Sequence, residues 1–352
     1  MRVLIVDDSS VSRMLVRAVL EGEGYEVREA QDGDEALRLL AAYTPDIITM
    51  DVHMPGMDGY ETTARILELY ALPVVIVTAS VDHFASSTAM RALEAGALAV
   101  LEKPTSPTSL DFADCVDELL RTLRSMSQVK IVRRKRRTPE DVGEASPLVT
   151  FGAECDPQLV AIAASAGGPL ALKAFLQRLE PQPWPLVLVQ HIAPGFLPSF
   201  RDWLATLTGM QVQVAEQGRR LVANNLYLAP DAHHLGFSAD RRVVLDSSPP
   251  EEHVRPAANH LFRSVAKCFG KRAIGIQMSG MGRDGAQGLA ELHRCGALTL
   301  VQEPSSAVID SMPRAAIALQ AARQVLPPEG IAQVLNAIAA RMVAPNGSDR
   351  RE

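Results

Sequence analysis

Ser165 is the residue of greatest chemical promise in this 352-residue chain, and it stands in the stretch VAIAASAGGPLALKAF, Val160 to Phe175. Small and β-branched residues precede it, apolar residues at helical spacing follow it, and Pro169 suits the first turn of a helix. Ser165 therefore falls on a tight strand-to-helix crossing. A dinucleotide-binding turn would need G-x-G-x-x-G, and the stretch Ala163 to Gly168 lacks the early glycines. Two readings stay open. A nucleophile elbow exposes a serine hydroxyl beside helix amides that can hold an oxyanion, whereas an ordinary βα turn uses serine only as a polar filler.

A serine nucleophile needs a base to take its proton and usually a third group to orient that base. Eight histidines compete for the first role. His191 ends the apolar run PLVLVQH, which puts it at the same edge of a parallel sheet as Ser165; a hydrogen-bonded strand-end histidine is the alternative. His233 and His234 would point to opposite faces of an extended segment, His253, His260 and His293 fall in loop or helix surroundings, and His53 and His83 lie in the first half. For the orienting acid, Asp284 in MSGMGRDGAQG again follows a buried-strand pattern directly. It also fits a helix N-cap with Gln287 at the third helical position, and both roles can coexist. Glycines around Met281 and Gly282 leave backbone amides free, so this turn can supply an oxyanion donor.

A second constellation lies near the N-terminus. Asp7 and Asp8 follow the apolar run RVLIV, Asp51 closes DIITMD, Thr78 closes a run of valines and isoleucine, and Lys103 closes ALAVLEK. Crowded carboxylates repel unless a cation joins them, and hard oxygen ligands suit Mg²⁺. A carboxylate held against Mg²⁺ is a competent nucleophile toward phosphorus, Lys103 can neutralise incoming phosphoryl oxygens, and the Thr78 hydroxyl can donate to them. Taken singly, aspartate caps helices and Lys-Pro ends strands. All five falling at the right strand ends is harder to explain in that way.

The elements that must position these groups alternate strand and helix throughout. The first half reads as five strands and five helices, which implies a parallel sheet covered on both faces with its sites at the carboxyl ends of the strands. The second half repeats the alternation through QLVAIAAS, PLVLVQH and AIGIQMSG, with helices such as ALKAFLQRL and GAQGLAELHRCG. NLYLAP, HLGFS and RRVVLD read as short strands of a hairpin-rich insertion. The expected fold class is α/β, two doubly wound domains with mainly parallel sheets: a flavodoxin-like first half and an α/β hydrolase-type second half carrying that insertion.

Composition bounds the remaining possibilities. Hydrophobic content of 47% over this length supports about two domains. The formal charge of −6 and the lack of a basic recognition helix argue against nucleic-acid binding. No apolar run reaches membrane-spanning length, and MRVLIVDDSS meets acidic residues too soon for a secretory signal, so a cytoplasmic protein with no membrane insertion is expected. Cys115, Cys155, Cys268 and Cys295 are widely spaced and read as buried thiols. KIVRRKRR at 130–137, followed by TPEDVGEASP, reads as a solvated linker, giving domains at 1–124 and 157–345 with the linker at 125–156.

VDDS, DVHMPGMDG, VTAS and EKP resemble the receiver domain of bacterial response regulators over residues 1 to about 124. That resemblance implies Asp51 as phosphoacceptor, Asp7 and Asp8 with Asp51 as Mg²⁺ ligands, and Thr78 and Lys103 as the phosphoryl-sensing pair. Val100 stands where many receivers carry a switching aromatic. AASAGGP, VQHIAPGF and GMGRDGA resemble the catalytic domain of the chemotaxis protein-glutamate methylesterases. The resemblance implies Ser165 as nucleophile, His191 as base, Asp284 as orienting acid and Met281 as oxyanion-hole contributor. It further implies a phosphorylation-activated esterase that acts on methylated chemoreceptors, also deamidates receptor glutamines, and takes its phosphoryl group from a chemotaxis histidine kinase. No cofactor is expected in the catalytic half, and a monomer is expected. Ala163 and Ala166 replace the first Gly and the Thr of the family's usual G-A-S-T-G-G.

Overall fold

The computed structural model describes residues 1–78, 85–104, 106, 108–109, 112–129, 131, 156–193 and 195–343. The chain divides into two compact units, 1–135 and 136–352. The basic run at 130–137 lies almost wholly outside the described residues.

The first unit runs β1 (Arg2–Val6), α1 (Ser10–Gly22), β2 (Glu26–Ala30), α2 (Gly33–Leu40), β3 (Ile47–Met50), α3 (Gly59–Leu69), β4 (Val74–Thr78), α4 (Ala85–Ala95), β5 (Ala99–Glu102) and α5 (Phe112–Met126). The strands pair in the order β2-β1-β3-β4-β5, all parallel. Apolar runs such as IITM in β3 are buried along their whole length because helices cover both faces. Short polar side chains start the helices: Ser9, Asp32 and Asp58 accept from the amides of Ser12, Glu35 and Glu61. Strand order reverses at β1, so Asp7 and Asp8 emerge at the topological switch point, where open α/β sheets hold ligands.

The second unit runs β6 (Leu159–Ala164), α6 (Gly168–Leu176), β7 (Leu186–Gln190), α7 (Leu197–Leu207), β8 (Gln211–Val214), β9 (Asn225–Leu228), β10 (His234–Phe237), β11 (Val243–Asp246), α8 (Ala258–Phe269), β12 (Ala273–Gln277), α9 (Ala286–Arg294), β13 (Leu298–Gln302), α10 (Ser311–Ala318), β14 (Gln324–Leu326) and α11 (Pro328–Val343). Seven strands form a parallel sheet in the order β14-β13-β12-β6-β7-β9-β8. Here the order reverses at β6, which puts Ser165 at the switch point.

Two expectations change. NLYLAP supplies β9, which pairs with β7 and β8 in the main sheet and does not belong to the insertion; only β10 and β11 pair as an antiparallel hairpin among the described residues. A four-residue apolar strand buried on both faces carries no mark of its sheet. Of the cysteines, Cys295 is exposed at the end of α9 and Cys115 and Cys268 are half-buried, while Cys155 lies outside the described residues.

Candidate active sites

β6 ends in a turn built for close approach. Ser165 donates its amide to the Ser279 carbonyl at 3.0 Å, and the Gly168 amide returns to the Ser165 carbonyl at 2.8 Å. Between them Gly167 takes φ of +74°, and a Cβ there would stand 2.6 Å from Ser279 Oγ and 2.7 Å from Val308 Cβ. Only glycine meets both conditions. Pro169 then opens α6, as its fixed φ favours.

β7 brings His191 alongside, and its amide donates to the Ala164 carbonyl at 3.0 Å, one rung before the serine. Buried Gln190 ties the two loops together by donating from Nε2 to the carbonyls of Ser165 and His191, each at 2.9 Å. From the far side of β6 comes Asp284, whose Oδ2 lies 3.0 Å from His191 Nε2. The nitrogen facing a carboxylate carries the proton, which leaves His191 Nδ1 as the ring's acceptor. Among the described residues no hydrogen bond joins the Ser165 hydroxyl to the imidazole, although the two residues share this edge.

Besides His191, two backbone amides hold the Asp284 carboxylate. It accepts the Ala258 amide at 2.6 Å and the Asn259 amide at 2.9 Å, the first two amides of α8, whose own N-cap Ala257 offers no side chain. Its backbone carbonyl accepts from buried Gln277 Nε2 at 2.8 Å. The expected capping of α9 does not occur: that helix starts at Ala286 behind Gly285, with no side-chain cap. Burial pushes the Asp284 carboxyl up, but His191 and the two amides outweigh it, so its pKa lies below the ordinary carboxylate value. The group is a carboxylate at neutral pH.

Of the glycine-rich amides after β12, Gly280 donates to the Ile309 carbonyl and Gly282 to Ser311 Oγ. The Met281 amide, like that of Ala166 after Ser165, has no hydrogen-bond partner among the described residues. Both can meet an oxyanion. Residue-level reading of the sequence passed over Gln190, Gln277, Ser279, Asn259 and Ser311, which brace this edge. One signal was present: LVLVQ, AIGIQ and LTLVQ each end an apolar strand in a glutamine, and all three side chains are buried.

Gly280 offers a direct test of this close packing. A Cβ there would press on Met312 Sδ and stand 2.8 Å from Ser165 Cβ. Gly280→Ala is expected to shift Ser165 and lower kcat by roughly 10- to 100-fold, at a stability cost of about 1–3 kcal/mol. Ester hydrolysis and thermal melting of the same preparation measure the two effects.

In the first unit, Asp7, Asp8 and Asp51 bring one carboxylate oxygen each to within 4.8 Å of one another. Lys103 Nζ lies 2.8 Å from both Asp7 Oδ2 and Asp51 Oδ2. Asp7 is further fixed by the Ser12 hydroxyl and the Ser9 amide. Burial, opposed by Lys103 and reinforced by Asp7, pushes the Asp51 carboxyl up, while its carboxylate partners more than offset burial at Lys103 and push that ammonium up. Three carboxylates facing one ammonium leave a surplus of negative charge that a divalent cation would neutralise, so this donor set fits Mg²⁺. Thr78 is buried at the end of β4, its carbonyl accepting the Lys103 amide at 2.8 Å. Val100 lies half-buried against the core.

Residues 3–113 match the response regulator receiver domain and residues 160–335 match the CheB methylesterase domain. A protein-glutamate methylesterase/protein-glutamine glutaminase of Hahella chejuensis is 47% identical over 96% of this chain and 98% of its own. The chain belongs to the CheB methylesterase family. A second protein of that description, from Methanospirillum hungatei, is 40% identical over 97% of this chain and 99% of its own. The crystal structure of the Thermotoga maritima CheB methylesterase catalytic domain aligns with a TM-score of 0.50 and 31% identity, covering 52% of this chain and 98% of that one. The two α/β units thus join a CheB-type catalytic domain to a receiver domain that generally binds Mg²⁺ for phosphorylation. An enzyme of this type implies, in general, a chemoreceptor substrate and a histidine kinase phosphodonor. Among the described residues no helix is long and apolar enough to cross a membrane.

Proposed function

We propose that this CheB-family chain is a cytoplasmic serine esterase, activated by phosphorylation of Asp51, that hydrolyses glutamate methyl esters on methylated chemoreceptor helices and deamidates receptor glutamines. The observation that carries the reading is the Asp284–His191 pair, 3.0 Å across, at the sheet edge where Ser165 emerges. Ser165 Oγ attacks the ester carbonyl as His191 Nδ1 takes its proton, after a small side-chain rotation brings them together. Asp284 holds the ring and stabilises the imidazolium. The amides of Met281 and Ala166 face the oxyanion. Collapse expels methanol, which receives the proton from His191, and water then attacks the acyl-enzyme by the same route. With a glutamine substrate the leaving group is ammonia, so no new residue is required.

In the receiver, Asp51 is the phosphoacceptor, Asp7 and Asp8 share with it the carriage of Mg²⁺, and Lys103 and Thr78 sense the phosphoryl group. Bound there, Mg²⁺ supplies charge neutralisation for an anionic phosphodonor, which a chemotaxis histidine kinase provides. Residues 1–124 form this regulatory domain, 125–156 the linker and 157–345 the catalytic domain. The catalytic domain works without a cofactor, and the chain acts as a monomer that neither binds nucleic acid nor enters the membrane.

The reading is tested by methanol release from methylated receptor. An acyl phosphate with Mg²⁺ is expected to raise release by the full chain and to leave residues 157–345 alone unchanged. A folded full chain that releases no methanol under either condition sinks the esterase assignment; a fragment that responds to the phosphodonor sinks the assignment of control to Asp51.

A further inference from the structure

We propose that His234 is a positioning residue for the esterase reaction, holding the two backbone amides that carry the Asp284 carboxylate. The inference rests on the reading of Asp284 as the group that orients His191.

His234 opens β10 in the insertion and is 0% exposed. Each ring nitrogen meets a backbone group of fixed polarity. Nδ1 lies 3.1 Å from the Ala257 amide, which can only donate, and Nε2 lies 3.1 Å from the Pro249 carbonyl, which can only accept. The backbone therefore dictates a neutral ring with its proton on Nε2. A ring so used is not a spare base.

What it holds is the start of α8. Ala257 is the N-cap of that helix and contributes no side-chain cap. The next two amides, Ala258 and Asn259, are the ones that clasp Asp284, at 2.6 and 2.9 Å. The amide that His234 accepts thus belongs to the residue immediately before the clasp. A helix N-terminus without its own capping side chain frays readily. Here it is pinned from one side by an imidazole and from the other by the carboxylate, in the order His234, Ala257, Ala258–Asn259, Asp284, His191. Apart from the peptide bond between Ala257 and Ala258, every link is a hydrogen bond of 3.1 Å or less.

A second ring steadies the first. His260, also on α8, stacks on His234 with ring centroids 4.8 Å apart and planes 15° apart. Burial, and then His234 itself, lower the His260 pKa against the opposing pull of Glu251 and Asp246. The stack therefore favours a neutral His260. Glu251, which faces His260 Nδ1 at 3.4 Å, is also engaged by Arg263.

The test uses the full chain activated with an acyl phosphate and Mg²⁺, with methylated receptor as substrate. His234→Phe preserves a ring for the stack but offers no acceptor to Ala257 and no donor to Pro249. Its kcat is expected to fall roughly 10- to 100-fold, as misplacement of a catalytic group does, with KM within about twofold. His234→Asn places an amide oxygen where Nδ1 stands and is expected to recover most of that loss. A folded His234→Phe protein with wild-type kcat, or a His234→Asn protein no better than it, overturns the proposal. If His234→Phe does not fold, His234→Asn and nitrogen-15 NMR of the wild-type imidazole decide: a proton found on Nδ1 of His234 refutes the assignment. Asp284→Asn separates the two levels of argument, because retention of activity there would refute the orienting role of Asp284, whereas its loss beside an intact His234→Phe refutes only the role of His234.

Discussion

Ser165→Ala in the activated full chain is expected to cut methanol release on the order of 10³-fold or more, leaving what oxyanion donors and substrate binding supply on their own. The fold has no reason to change. The Ser165 amide and carbonyl, which make the turn's bonds to Ser279, Gly168 and Gln190, survive the substitution. Losing Oγ also relieves no contact, since no hydrogen bond to it occurs among the described residues. Melting and receptor binding should therefore match wild type while turnover collapses. Stopped-flow measurement of the first turnover sharpens the result, because an acyl-enzyme burst must vanish together with the steady-state rate. Substantial residual esterase activity would mean that another group attacks the ester.

Asp51→Asn is expected to abolish labelling by a radioactive acyl phosphate and, with it, the stimulation of methanol release. Chelation of Mg²⁺ should do the same to the wild type, since Asp7, Asp8 and Asp51 would repel an incoming anion. A stability effect of opposite sign follows from electrostatics. A carboxyl whose folded pKa is raised, here chiefly by burial, costs stability in its charged form at every pH above the unfolded value. Neutral Asn removes that cost, and Lys103 keeps Asp7 as partner. Without Mg²⁺ the variant should melt no lower than wild type at pH 7 and lose that advantage as pH falls. Label on Asp51→Asn would identify a different acceptor.

Much of both sites was legible because parallel strands buried on two faces read as uninterrupted apolar runs, so the polar residue that ends each run stands out. Ser165, His191, Asp7, Asp51 and Lys103 stand at or just past the ends of such runs, Asp284 lies further along the turn that follows β12, and strand order gathers them at two switch points. What the sequence concealed are contacts between segments far apart in the chain. Asp284 looked like a cap for the helix that follows it, because nothing local shows that Gly285 takes over that start, or that uncapped amides 26 and 25 residues upstream need its carboxylate. His234 could not be told from His233, since alternation in an extended segment assigns them to opposite faces without saying which is inside. β9 escaped its sheet for a related reason: NLYL is apolar enough for any buried strand, and its neighbours β7 and β8 were decided by the path of the chain.

The pair of hydrogen bonds that Gln190 donates to the carbonyls of Ser165 and His191 also has a mechanical meaning. One rigid carboxamide spans the ends of two adjacent strands and ties the Ser165 and His191 loops together. A substrate that pushes on either loop therefore pushes on both, and the edge meets it as one block whose geometry is set when the sheet folds and not when substrate arrives.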